Sequence, residues 1–176
     1  MKNKIETNGD ITLTIINDDN FLSPYSPTYK PIISSEVAEF IENCANEYHP
    51  KTNLTLNIYS NCIDENEKET YNNAIKNYFT LKLNNVTRDI KRTVFTGILF
   101  SIIGIIVLAL MFLLSNLEAK AIWIECVNIF AWVFLWEAVD KLFIERNKLL
   151  LKISRLSSFI NMKINYYIKF LKKEFN

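Results

Sequence analysis

The sequence predicts a membrane α+β protein, in which a hairpin of two transmembrane helices is inserted in a small cytoplasmic domain of about three strands and two helices. Three observations carry that class. Residues 94–114 (VFTGILFSIIGIIVLALMFLL) contain no charged side chain. A second apolar run, 121–144, follows after the short stretch SNLEAK at 115–120. Segments of alternating apolar and polar residues lie on both sides of that pair.

Before the first apolar run, residues 1–93 read as an α/β segment. Ile11, Leu13 and Ile15 alternate with Thr12 and Thr14, the period of a half-buried strand. Pro24, Pro27 and Pro31 then exclude helix from residues 18–33 and imply an extended connection. Val37, Phe40, Ile41, Cys44, Ala45 and Tyr48 recur at helical spacing on one face. Ser34 or Ser35 serves as N-cap, Glu36 lies in the first turn and Pro50 is the stop. Leu54, Leu56 and Ile58 restore the alternation of a strand over 54–60. Asp64 and Glu67 then open a second helix, with Tyr71, Ile75 and Tyr78 inward. A break is expected near Asn84-Asn85, ahead of the first span.

At a rise of 1.5 Å per residue the run 94–114 reaches about 31 Å, which matches a hydrocarbon core of about 30 Å. It begins far from the N-terminus, and MKNKIETNGD has no apolar stretch of the signal-peptide kind. The second run carries Trp123, Trp132 and Trp136 but also Glu125, Glu137 and Asp140, so its apolar signal is weaker. Six residues between the runs suit a tight antiparallel hairpin with a short external loop at 115–120. Beyond it, 145–176 is a basic tail. Helix is expected to persist to about Leu156, and Ile160, Met162, Ile164 and Tyr166 then alternate as a third strand over 159–166. Joined to the earlier pair, that strand closes one discontinuous domain, since two strands alone are marginal.

Charge sets the orientation. Residues 1–93 hold ten basic and thirteen acidic groups, residues 94–140 one and four, and residues 141–176 nine and two. Arg88, Lys91 and Arg92 flank the first span. Lys141, Arg146, Lys148, Lys152 and Arg155 flank the second, against Lys120 alone between them. The positive-inside rule puts both termini in the cytoplasm of a multi-pass inner-membrane protein. There the cysteines need not be oxidised, and Asn53-Leu54-Thr55 is no glycosylation site. The aromatic, basic tail (Tyr166, Tyr167, Phe170, Phe175) could contact nucleic acid. Beside a span, orientation and attraction to lipid headgroups explain the same charges more simply.

The candidate chemistry is sparse. Three glycines (Gly9, Gly97, Gly104) build neither a dinucleotide fingerprint nor a phosphate loop, and one His with three scattered Cys builds no zinc site. No metal and no cofactor is expected. His49 reads as a helix-end residue, Cys44 and Cys62 as inert core thiols, and Cys126 as a membrane cysteine. In the second span Glu125, Asn128, Trp132, Trp136 and Asp140 form one polar stripe, with Glu137 as an additional acid at the membrane end. A mid-membrane acid costs roughly 2.5–3.5 kcal/mol, so the stripe either faces a partner helix or a water path, or its acids sit at interfaces and pair with Lys141 and Lys120. The second account is the simpler. Thr93, Gly97, Ser101 and Gly104 share a face of the first helix, and Gly97, Ser101 and Gly104 read as a packing surface, for the second span or for a dimer.

Residues 131–146 (AWVFLWEAVDKLFIER) resemble part of a group of small bacterial two-helix membrane proteins of unknown function. Those proteins combine a short cytoplasmic α/β segment, two spans joined by a brief loop, a Trp-and-acid motif leaving the second span, and then basic residues. Their proline and Trp-rich exit is replaced here by Asn147 and Lys148. The resemblance implies no activity and no residue role. The expectation is therefore a non-enzymatic bacterial membrane protein whose cytoplasmic domain binds a partner or self-associates. The alternative is a homo-oligomeric channel or membrane-perturbing effector gated by its cytoplasmic domain, and a membrane enzyme ranks last.

Overall fold

The computed structural model describes residues 8–117 and 120–168. In chain order its elements are β1 (Gly9–Ile15), α1 (Ser35–Ala45), β2 (Leu54–Ser60), α2 (Glu65–Asn116), α3 (Ala121–Val139), a π-helical segment (Asp140–Glu145), α4 (Arg146–Ile160) and β3 (Lys163–Tyr167). The chain divides into two compact units. One joins residues 1–84 to 153–176, and the other is 85–152.

The first unit is built on a three-stranded sheet in the order β1-β2-β3, with both pairings parallel. Ile11 lies opposite Leu56, and Leu56 opposite Ile164. Parallel neighbours need crossover connections, and α1 supplies the first. Period-2 patterning sorts the two faces. Ile11, Ile15, Leu54, Leu56 and Ile58 are buried, whereas Asp10, Thr12 and Thr14 are exposed. Helices complete the core with Ala38 and Ile41 from α1, Tyr71, Ala74, Ile75 and Phe79 from α2, and Leu156 and Phe159 from α4. The Phe79 and Phe159 rings stack with centroids 4.5 Å apart. On the opposite, polar face Asn165 Nδ2 donates to Asn57 Oδ1 at 3.0 Å, and the Tyr59 and Tyr167 rings stack at 5.0 Å. Parallel sheets are ordinarily covered on both sides, so this polar facing is what lets the second side meet solvent.

Several elements differ from the sequence reading. α1 starts as expected, with Ser34 as N-cap accepting from the Val37 N–H at 3.5 Å. Its buried face is Ala38, Ile41 and Ala45, however, while Phe40 is 43% exposed and Val37 and Cys44 are half-buried. Small side chains face inward, so the bulky residues are displaced to the flanks. The helix ends at Ala45, short of Pro50, because Asn46 N–H closes the last turn on Glu42 O and Asn43 O. Residues 18–33 contain no helix, yet they fold back on themselves. Leu22 and Ile33 form an antiparallel bridge, and Phe21 and Ile33 are buried. α2 runs unbroken through Asn84-Asn85, since a few tenths of a kcal/mol of poor helix propensity per Asn cannot interrupt a long helix. At its start Glu67 Oε2 accepts from the Asp64 N–H at 2.8 Å, the capping contact that the D-x-x-E spacing predicts. Phe79 rather than Tyr78 is its deepest aromatic. α4 continues to Ile160, four residues past the expected end, and β3 begins at Lys163 instead of residue 159. Residues 169–176, which hold the rest of the basic tail, lie outside the described residues.

The second unit is helical. α2 from residue 85 onward is joined to α3 through 117–120, and α3 passes through the π-helical segment into α4. Two helical stretches, Glu65–Asn116 and Ala121–Ile160, are long and apolar enough to cross a membrane.

Candidate functional site

Close packing within the helical unit centres on the glycines. A Cβ placed on Gly97 would stand 2.7 Å from Leu142 Cγ and 3.1 Å from Lys141 Cβ. One placed on Gly104 would stand 2.8 Å from Leu135 Cδ2. All three distances are below van der Waals contact, so a side chain at either position requires the facing leucine to shift, and α2 meets α3 and the π-helical segment there. Ser101, one turn from each glycine, donates its Oγ–H to Gly97 O at 3.0 Å, which satisfies its hydroxyl inside the helix. Ala131 and Ala138 are the buried residues of α3. Gly97 and Gly104 thus face side chains of the second apolar helix and its π-helical continuation.

The Trp-and-acid stripe lies to one side of that contact. Glu125 is exposed, Asn128 and Asp140 are half-buried, and Trp132 and Trp136 are 55% and 67% exposed. An open groove of about 590 Å³ takes in only Trp132, Trp136 and Asp140 of the stripe, together with Ile129, Glu137 and Ile144, and leaves Glu125 and Asn128 outside its lining. Glu137 belongs to a ladder at helical spacing, with Lys141 Nζ lying 3.4 Å from Glu137 Oε1 and 2.5 Å from Glu145 Oε1. Glu125 forms no ion pair among the described residues, with Lys120 or any other. The π-helical segment Asp140–Glu145 falls where this stripe ends. A wider turn shifts the facing of every residue beyond it relative to a plain α-helix, and such segments recur at functional positions.

A second cleft escaped the sequence reading. It measures about 330 Å³ and is lined by Asp89, Arg92 and Thr93 of α2, by Glu145, and by Lys148 and Lys152 of α4. In the sequence these cations count only as flanking charges. The usable signal is that positions 89, 92 and 93 share one helical face, as do 145, 148, 149 and 152.

The remaining candidates hold no concerted chemistry. His49 Nδ1 accepts from the Lys51 N–H at 3.3 Å in the turn after α1. Cys44 and Cys62 are half-buried rather than core residues, Cys126 is exposed, and Cys62 Sγ lies 3.0 Å from Ser60 Oγ. Among the described residues no cluster of three His, Cys, Asp or Glu side chains could hold a metal ion. No protein-family model, curated protein or solved structure matches the chain.

Proposed function

We propose that the chain is an integral protein of a bacterial inner membrane, anchored by a two-span hairpin with both ends in the cytoplasm. Its sheet unit is a non-enzymatic module that binds a protein partner or a second copy. One observation carries the reading: only 11% of the most apolar stretch of each long helix is buried. A core helix in a soluble domain is covered on every side. Here Phe95, Ile98, Leu99, Ile102, Ile105 and Ile106 are all between 45% and 69% exposed on α2 alone. Leaving six such side chains in water instead of lipid forfeits roughly 5–10 kcal/mol, as much as the whole stability of an ordinary domain.

Expressed with a C-terminal tag, the protein should stay in the membrane pellet through an alkaline carbonate wash. Its tag should resist protease added to intact spheroplasts and be cut once they are lysed. Release by carbonate overturns the anchoring, and digestion from outside overturns the orientation.

Glu125, exposed and without an ion pair among the described residues, favours a second reading, a homo-oligomeric channel with this stripe toward its axis. Planar-bilayer conductance lost in Glu125→Gln or Glu137→Gln would support it. A monomeric mass in detergent, or a leak unchanged in both variants, rejects it.

A further inference from the structure

The cleft formed by α2, the end of the π-helical segment and α4 has an uneven charge balance. Glu145 is already held by Lys141 at 2.5 Å. Arg92, Lys148 and Lys152 have neither an ion pair nor a hydrogen bond among the described residues, and all three are exposed. Asp89 is the one acid of the cleft left to oppose them. Three free cations around about 330 Å³ therefore present a site for one anion, and the Thr93 side chain at the cleft wall adds a hydroxyl donor.

The setting narrows what that anion is. Thr93 immediately precedes the uncharged run that begins at Val94, and Glu145 immediately follows Ile144 at the end of the second run. Exposed Phe95 and Leu99 lie further along α2, Leu149 lines the cleft itself, and exposed Phe143 and Ile144 directly precede Glu145 in the π-helical segment. A soluble phosphate would use the cations and leave this apolar border idle. A phospholipid uses both, its phosphate among the cations and its acyl chains along the exposed aromatic and aliphatic side chains. We propose that this cleft binds the headgroup of an anionic glycerophospholipid, with Arg92, Lys148 and Lys152 as the phosphate ligands. Basic pockets between spans at the cytoplasmic boundary are suited to such headgroups. The assignment rests on the membrane reading above and adds a ligand class to it.

The test uses the full chain reconstituted into nanodiscs of equimolar phosphatidylglycerol and phosphatidylcholine, with retained lipid identified by native mass spectrometry. Phosphatidylglycerol should be enriched about tenfold on the protein. The combined substitution Arg92→Gln, Lys148→Gln and Lys152→Gln should bring the ratio close to that of the bulk bilayer, with helical content unchanged by circular dichroism. Removing the same charge at Arg88, Lys91 and Arg146, which lie outside the cleft, should preserve the enrichment.

Equal loss in both variants overturns the site in favour of a diffuse basic surface. Absence of enrichment in the unaltered protein overturns it outright. Inorganic phosphate that displaces the bound lipid at millimolar concentration, or binds without any lipid preference, assigns the cleft to a soluble anion instead. Failure to enter nanodiscs at all is a separate result, and it removes the membrane reading rather than this cleft alone.

Discussion

Arg155 shows how one side chain ties the late part of the chain to the early part. Its guanidinium donates from Nη1 to Ala45 O and from Nη2 to Tyr48 O, both at 2.6 Å. These carbonyls end α1 and the turn after it, where the helix dipole is negative and backbone acceptors lack partners. Burial lowers the Arg155 pKa from its usual value, but a guanidinium stays charged in proteins. Charge-assisted hydrogen bonds contribute about 1.5–3 kcal/mol, so Arg155→Ala should destabilise the sheet unit by about 2 kcal/mol. Arg155→Lys should recover only part of that, because a point charge cannot span both carbonyls. Chemical denaturation of the three proteins checks the order.

Two tyrosines act in the same unit through their protons. Tyr71 donates to Asp18 Oδ2 at 2.8 Å, and Tyr166 donates to Asn72 Oδ1 at 3.0 Å. Burial pushes Tyr166 up to about 12, and burial together with the Asp18 carboxylate raises Tyr71 in the same direction. A folded-state pKa above the unfolded value near 10 stabilises the fold fully below pH 10, and that stability is lost as pH climbs toward 12. Melting temperature should accordingly fall over this window, and less steeply in Tyr166→Phe. An identical slope in that variant would remove the burial of Tyr166 as its cause.

At the level of elements the glycine contacts yield the sharpest expectation. Gly104→Ala drives a methyl group into Leu135, and Gly97→Ala drives one into Leu142. Each overpacks a close helix contact and should cost about 1–3 kcal/mol. Leu135→Ala should relieve the first substitution and leave the second unrelieved, with Leu142→Ala doing the converse. Unfolding titrations in mixed micelles measure both couplings, and additive effects in the matched pairs would remove the direct contact.

The close approach at Gly97 and Gly104 has a visible sequence signal, since small residues at helical spacing on an apolar helix let backbones come near. β1 and β2 were legible from strict alternation. The start of β3 was not, since Leu156, Phe159 and Met162 are all buried and are spaced three apart, which suits a helical face as well as the end of a strand. The inward face of α1 was misread for a related reason. Hydropathy favours Phe40 over Ala38, whereas close approach to the core favours the smaller side chain. The π-helical segment has no sequence signature, and the basic cleft requires two helices brought together, a fact that no single periodicity contains.

For the whole molecule, the division into units makes a demand on folding. The sheet unit draws its strands from both ends of the described chain, with β3 hydrogen-bonded beside β2 and Phe159 stacked on Phe79. Residues 8–84 alone would keep only two paired strands, one of them with an exposed edge, and would lose Leu156, Phe159 and Met162 from the core. Two strands alone are marginal, and this pair would also lose the part of its helical cover that α4 supplies. Removing one large buried aromatic costs about 3–5 kcal/mol, a sizeable share of the stability of a small domain. The 68 residues of the helical unit, 85–152, contribute none of this buried core. A chain in which a flexible Gly/Ser linker replaces 85–152 should therefore be soluble and unfold in one cooperative transition, while residues 1–84 by themselves should not. The linker must be long enough to let β3 reach β2, so a short series of lengths is compared. Phe159→Ala in the linked chain should lower its denaturation midpoint markedly. A cooperative fold from residues 1–84 alone would show that the late strand is an accessory, and failure at every linker length would show that the sheet cannot assemble without the helical unit.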